Sequence, residues 1–120
     1  MSTQPRNRRL KVEVIGDVSV VDFFDKKIID EQNITHIGED LFKLVEQDEH
    51  RKVLLNFRNV EFMSSAMLGK LITLFKKLQA RSGRLILCNI SPEIQEVFKI
   101  TKLDKLFTIL DDEQVALQSF

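Results

Sequence analysis

From residue 52 onward, short apolar runs alternate with segments of helical period, and this alternation constrains the fold more than any other feature of the chain. "KVLLNF", residues 52–57, is an apolar run of buried-strand length. Next, Leu68, Leu71, Ile72, Phe75 and Leu78 form one helical stripe, with Lys70, Lys76, Lys77 and Arg81 mostly off it. Ser82-Gly83 supplies a C-terminal glycine stop. "RLILCNI", residues 84–90, is a second buried strand. "SPEIQEVFKI" then opens with serine at the N-cap and proline at the first helical position, with Ile94, Val97 and Phe98 on one face. "LFTIL", residues 106–110, is a last strand, after which Asp111 or Asp112 caps a helix carrying Val115 and Leu117. Strands that alternate with helices imply right-handed crossovers onto a mostly parallel sheet.

The first half opens that sheet differently. "LKVEVIG" and "VSVVDFF", residues 10–16 and 18–24, are β-rich runs on either side of Gly16-Asp17, a two-residue hairpin signal, so they pair antiparallel. Leu10, Val12 and Val14 alternate with Lys11 and Glu13. In "NITHIGEDLFKLVEQ" the period changes: Ile34, Ile37, Leu41, Leu44 and Val45 share a helical face, with Asn33 as the expected N-cap. The expected order is β-β-α-β-α-β-α-β-α. This is one α/β domain over residues 10–120: a mostly parallel mixed sheet opened by a β-hairpin, with about four helices. Residues 1–9, which include "RNRR" at 6–9, are read as a flexible basic N-terminal tail.

The totals narrow the partners. Eighteen basic and eighteen acidic residues cancel, which argues against a nucleic-acid or anionic-membrane surface. With no run long enough to span a bilayer and no apolar segment after the basic stretch, the chain reads as cytoplasmic, without membrane insertion. Cys88 is the one cysteine and sits in an apolar run, as a packing thiol does.

Little here points to catalysis. His36 and His50 are isolated and no metal-ligand spacing occurs, so neither metal nor cofactor is expected. Ser64 and Ser65 lie in "VEFMSSAMLG", residues 60–69, without the G-x-S-x-G nucleophile pattern. The glycines are too dispersed for a phosphate-cradling loop. No catalytic residue is assigned. What distinguishes the serine pair is its place at a helix start, where free amides and the positive end of the macrodipole meet. One serine could cap the helix there, and a phosphate on either would be stabilised there.

The segment "NFRNVEFMSSAMLGKLITLFKKLQARSGRLILCNISPEIQEVFKITKLDKLFTI" resembles the STAS family, specifically its bacterial anti-sigma factor antagonists. The resemblance extends over nearly the whole chain and rests on a loop of the form hydrophobic-Asp-Ser-Ser-Gly-Leu-Gly between a strand and a helix. Aligned on Phe62-Met63 and Leu68-Gly69, the family's Asp falls on Ser64 and its phosphorylatable serine on Ser65. Its second serine falls on Ala66 and its first glycine on Met67. Lys27 and Lys102 are further departures, in local turns.

The resemblance implies a regulatory binding protein that docks an anti-sigma factor with serine kinase activity, is released on phosphorylation at Ser65 (alternatively Ser64), and is reset by a serine phosphatase. The implied partner surface is Met63, Ser64, Ser65, Ala66 and Met67, with both methionines exposed, joined by exposed parts of residues 28–33. Two alternatives stand beside it. One is a non-phosphorylated STAS scaffold or accessory subunit of a signalling assembly or lipid transporter; the other is a nucleotide site at the same helix start. Oligomeric state is left open.

Overall fold

The computed structural model describes residues 10–120; the expected basic tail at residues 1–9 lies outside the described residues. The main sheet has five strands, lying side by side in the order 10–15, 18–23, 52–56, 84–88 and 108–110. Strands β1 (Leu10–Ile15) and β2 (Val18–Phe23) form the expected antiparallel hairpin around Gly16-Asp17, with Ile15 opposite Val18. Strands β4 (Lys52–Asn56), β6 (Arg84–Cys88) and β7 (Thr108–Leu110) follow in parallel, Ser19 aligning with Val53 and Val53 with Leu85.

The crossovers α1 (Glu31–Glu46), α2 (Ser65–Gln79) and α3 (Pro92–Ile100) bury their apolar stripes on one face of the sheet. Ile37, Leu41, Leu71, Leu74 and Phe98 meet Val21, Val53, Leu55 and Leu87 there, with Phe23 stacked on Phe57 at 4.8 Å between ring centroids. On the opposite face Val18, Val20, Leu54, Ile86 and Cys88 pack under the short α4 (Glu113–Leu117).

Several local expectations shift. Helix α1 begins earlier than Asn33: Asp30 is the N-cap, and its carboxylate accepts from Asn33 N–H at 3.1 Å. An acidic side chain fits that role better than an amide because it also complements the helix dipole. Ser91 and Asp112 cap as expected, accepting from Ile94 N–H and Val115 N–H. In α4 it is Ala116 that is buried, while Val115 is 43% exposed, because a five-residue helix turns only one side inward.

The end of α2 divides its work. Ser82, not Gly83, takes the left-handed conformation, at φ 59°. Gly83 is required for space: a Cβ there would sit 2.5 Å from the carbonyl oxygen of Arg51.

A second, two-stranded parallel sheet was not expected. Strands β3 (Lys27–Ile28) and β5 (Phe62–Met63) pair beyond the carboxyl ends of β2 and β4. This small sheet positions the serine pair.

Candidate functional site

The loop after β4 is held at both ends before it becomes α2. Val60 N–H returns to the Phe57 carbonyl at 2.8 Å, and Glu61 N–H donates to Lys26 at 2.7 Å. Ser64 N–H then donates to the Ile28 carbonyl at 3.0 Å, which continues the β3–β5 ladder up to the helix. From the other side, Ser91 Oγ donates to the Glu61 carbonyl at 3.3 Å while capping α3. The helix start is therefore anchored by backbone on one side and by the α3 cap on the other.

Ser64 occupies the N-cap with extended backbone, φ −82° and ψ 167°, and its carbonyl accepts from Met67 N–H at 3.0 Å. Its side chain makes no capping bond; Ser64 Oγ is buried without a partner. Ser64 thus takes the N-cap position expected of one of the two serines, but without a side-chain bond, and the small sheet fixes its orientation instead. Ser65 is the first helical residue and is exposed, as is Ala66. The N–H groups of Ser65 and Ala66 have no intrahelical acceptor, and α2 carries no acidic residue in its first turn to satisfy them. The structure thus combines an accessible hydroxyl, free amides and the positive end of a 15-residue helix at one point.

The expected methionine surface is also corrected. Met63 is 3% exposed and Met67 is fully buried, both in the core beneath α1 and α2. Met63 lies on the inward side of the small sheet, and Met67 begins the stripe Met67, Leu71, Leu74, Leu78 that faces the main sheet. Met67 therefore adds no bulk toward solvent. The exposed apolar side chains of the segments that lead into and form the small sheet are Phe24 at 52%, Ile29 at 52% and Phe62 at 46% exposure, and the sequence singled out neither phenylalanine. Only Ile29 falls within the expected 28–33 segment, and its neighbour Ile28 is buried. The signal for Phe62 was its position before Met63, since adjacent strand residues face opposite ways.

Between the first turns of α1 and α2 runs an open groove of about 340 Å³, lined by Glu31, Thr35, Ala66, Gly69 and Lys70. Gly69 borders it with nothing within 4 Å of where a Cβ would lie. A helix-interior glycine costs roughly 0.5–1 kcal/mol relative to alanine. Nothing inside the described chain requires that cost at residue 69. Gly38 differs, because the Lys70 stem packs against it and a Cβ would come within 2.9 Å of Lys70 Cδ.

Cys88 is buried, and burial, reinforced by Glu113, Asp112 and Asp22, pushes its thiol up to about 12. Among the described residues no group of three or more His, Cys, Asp or Glu side chains could hold a metal ion. At the carboxyl ends of β4 and β6, Asn56 Oδ1 accepts from Asn89 Nδ2 and from Arg58 N–H, both at 3.0 Å, while Asn56 Nδ2 donates to Glu113 Oε1 at 2.9 Å. That network ties α4 to the sheet. Beside it Asp22 is 6% exposed, with Arg58 3.4 Å from one carboxylate oxygen and the other oxygen unpartnered. Burial raises the Asp22 pKa against the pull of Arg58.

A mixed sheet opened by a hairpin, with an exposed serine at the start of the second crossover helix, defines a class of small single-domain α/β protein. The STAS domain model matches residues 9–116, and the chain belongs to the STAS domain family. The anti-sigma F factor antagonist of Paenibacillus polymyxa is 30% identical over 71 residues, which is 59% of each chain. Among solved structures, an anti-sigma-factor antagonist (STAS) domain protein from Planctomyces limnophilus superposes with a TM-score of 0.83 at 25% identity, over 92% of this chain and 96% of that one. The phosphorylated form of the Bacillus cell fate determinant SpoIIAA gives 0.71 at 21% identity, over 92% and 99%. Among the described residues no helix is long and apolar enough to cross a membrane.

Proposed function

We propose that this chain is an anti-sigma factor antagonist, a cytoplasmic non-catalytic binding protein whose docking to a serine-kinase anti-sigma factor is switched by phosphorylation of Ser65 and reset by a serine phosphatase. The observation that carries the reading is the difference between the two serines. Ser65 presents an exposed hydroxyl at the first position of α2, whereas the Ser64 hydroxyl is buried. A kinase reaches only the first.

The surroundings support docking at the same place. Phe24, Ile29 and Phe62 offer exposed apolar area beyond the carboxyl ends of the strands, and Gly69 leaves the α2 backbone open to close approach. The names of relatives support the partner class, and SpoIIAA is a neighbour known in a phosphorylated form. A phosphate adds roughly −1.5 to −2 charges at neutral pH, and the free amides of α2 stabilise it on the antagonist itself. Brought against an apolar partner surface, the same charge must be desolvated. Only about 1.4 kcal/mol of that cost shifts affinity tenfold.

The test is titration of the anti-sigma factor with wild type, Ser65→Asp and Ser65→Ala. Weakening of roughly tenfold or more by Ser65→Asp, with binding kept by Ser65→Ala, fits a loss of 1.4 kcal/mol or more. Indifference to both changes would sink the switch. It would favour the second reading, a constitutive STAS scaffold or accessory subunit, which draws on Ser64 standing where the family carries Asp.

A further inference from the structure

We propose that β1 is a self-complementary edge through which two copies of this chain pair antiparallel, centred on Val12. This inference stands apart from the Ser65 reading and rests on a different part of the molecule.

Strand β1 is an outer strand of the main sheet, and after Leu10 each of its residues is exposed. Val12 is 41%, Val14 59% and Ile15 37% exposed, an apolar fraction that open edges seldom carry. The opposite edge, β7, has only three residues, whereas β1 has six. Residues 10–15 contain no proline, and they pair with β2 without a bulge. Among the described residues the edge is neither shortened, kinked by proline nor bulged, and its only blunting charges are Lys11 and Glu13, of opposite sign.

The hairpin decides which backbone groups are free. Gly16 at φ 64° and Asp17 form a two-residue loop closed by Ile15 and Val18. The closing pair of such a hairpin exchanges both hydrogen bonds, and bonded pairs then alternate along the ladder. Glu13 with Val20 and Lys11 with Asp22 are accordingly bonded, while Leu10, Val12 and Val14 turn their N–H and C=O groups away from β2. Those three residues form the row of donors and acceptors available to another strand.

A two-fold axis through Val12, perpendicular to the sheet, sets Val12 against Val12, Leu10 against Val14 and Lys11 against Glu13. The outward backbone groups then meet as bonded pairs. Lys11 and Glu13 face each other at the non-bonded positions, where side chains come closest. Both charge pairs are attractive, and the valines and Leu10 line up on the face that carries the helices. The neighbouring symmetric registers oppose Lys11 to Lys11 or Glu13 to Glu13. The charge pattern therefore selects one register, and the occupant it fits is a second copy of the same strand.

The test is sedimentation velocity of the full chain from micromolar to millimolar concentration, with three variants. Lys11→Glu and Glu13→Lys each place like charges at both pairs and should weaken self-association by roughly tenfold or more. Mixing these two variants restores attraction at both pairs, so the mixture should re-form a dimer that neither forms alone. Val12→Pro removes an outward N–H without touching the β2 ladder and should be monomeric with unchanged circular dichroism. A wild type that stays monomeric up to millimolar concentration overturns the proposal. So does a dimer that survives the charge reversals, since it is held elsewhere. If Val12→Pro does not fold, the two charge variants and their mixture still decide the question.

Discussion

The backbone N–H of Ser64 donates to the carbonyl of Ile28 at 3.0 Å, and this one bond joins the two-residue strands to the start of α2. It explains why the Ser64 hydroxyl can be buried and idle while the helix still begins at a fixed place. The serine beside it is left exposed at the first helical position.

The two N-cap serines should then respond differently to truncation. Ser64→Ala removes an unpartnered buried hydroxyl and should change stability by no more than about 0.5 kcal/mol, or raise it. Ser91 accepts from Ile94 N–H and donates to the Glu61 carbonyl, so Ser91→Ala should cost about 1 kcal/mol. Urea midpoints of the two variants measure the contrast, and equal losses would mean that Ser64 caps after all.

Glycine at 69 and at 83 should separate in the same way. Gly83→Ala forces a methyl toward the Arg51 carbonyl and should destabilise by roughly 1–3 kcal/mol. Gly69→Ala meets nothing within the chain and should stabilise α2 by about 0.5–1 kcal/mol. If the groove beside Ser65 receives the anti-sigma factor, the same Gly69→Ala should weaken that complex. Thermal melts read the first effect and titration calorimetry the second. A stabilised variant with undiminished binding would remove Gly69 from the interface.

Asp22 gives a prediction in pH. Its folded pKa is raised chiefly by burial, so the folded state holds the proton more tightly than the unfolded chain. The stability this contributes is present below the unfolded value near 3.8 and is lost as pH rises through the folded value. Asp22→Asn should therefore gain over wild type at neutral pH, and the gain should shrink as pH falls toward the ordinary carboxylate range. Urea denaturation of both proteins across that range tests the sign. An advantage that grows on acidification would mean that the Arg58 pairing dominates instead.

The main elements were legible because their periods are long enough to read. The stripe from Leu68 to Leu78 and the runs 52–57 and 84–90 identified α2, β4 and β6, and Ser91-Pro92 marked the start of α3. The β3–β5 sheet was not legible, because two residues per strand carry no period and the partners lie far apart in sequence. Without the small sheet nothing in the sequence gives Met63 an inner side, so an apolar surface is expected on the methionines, whereas the exposed side chains are Phe24, Ile29 and Phe62. The spacing Met67, Leu71, Leu74, Leu78 was available in the sequence and would have put Met67 in the core. The Asn56–Asn89–Glu113 network was beyond reach, since only the parallel register brings the ends of β4 and β6 together.

Phosphosite mass spectrometry on protein recovered from its native cells, across growth phase and stress, decides whether Ser65 carries the proposed switch. Phosphate on Ser65, rising and falling with condition, and none on the buried Ser64 hydroxyl is the expected result. Phosphate on Ser64, or no phosphate on either serine in any condition, would contradict it.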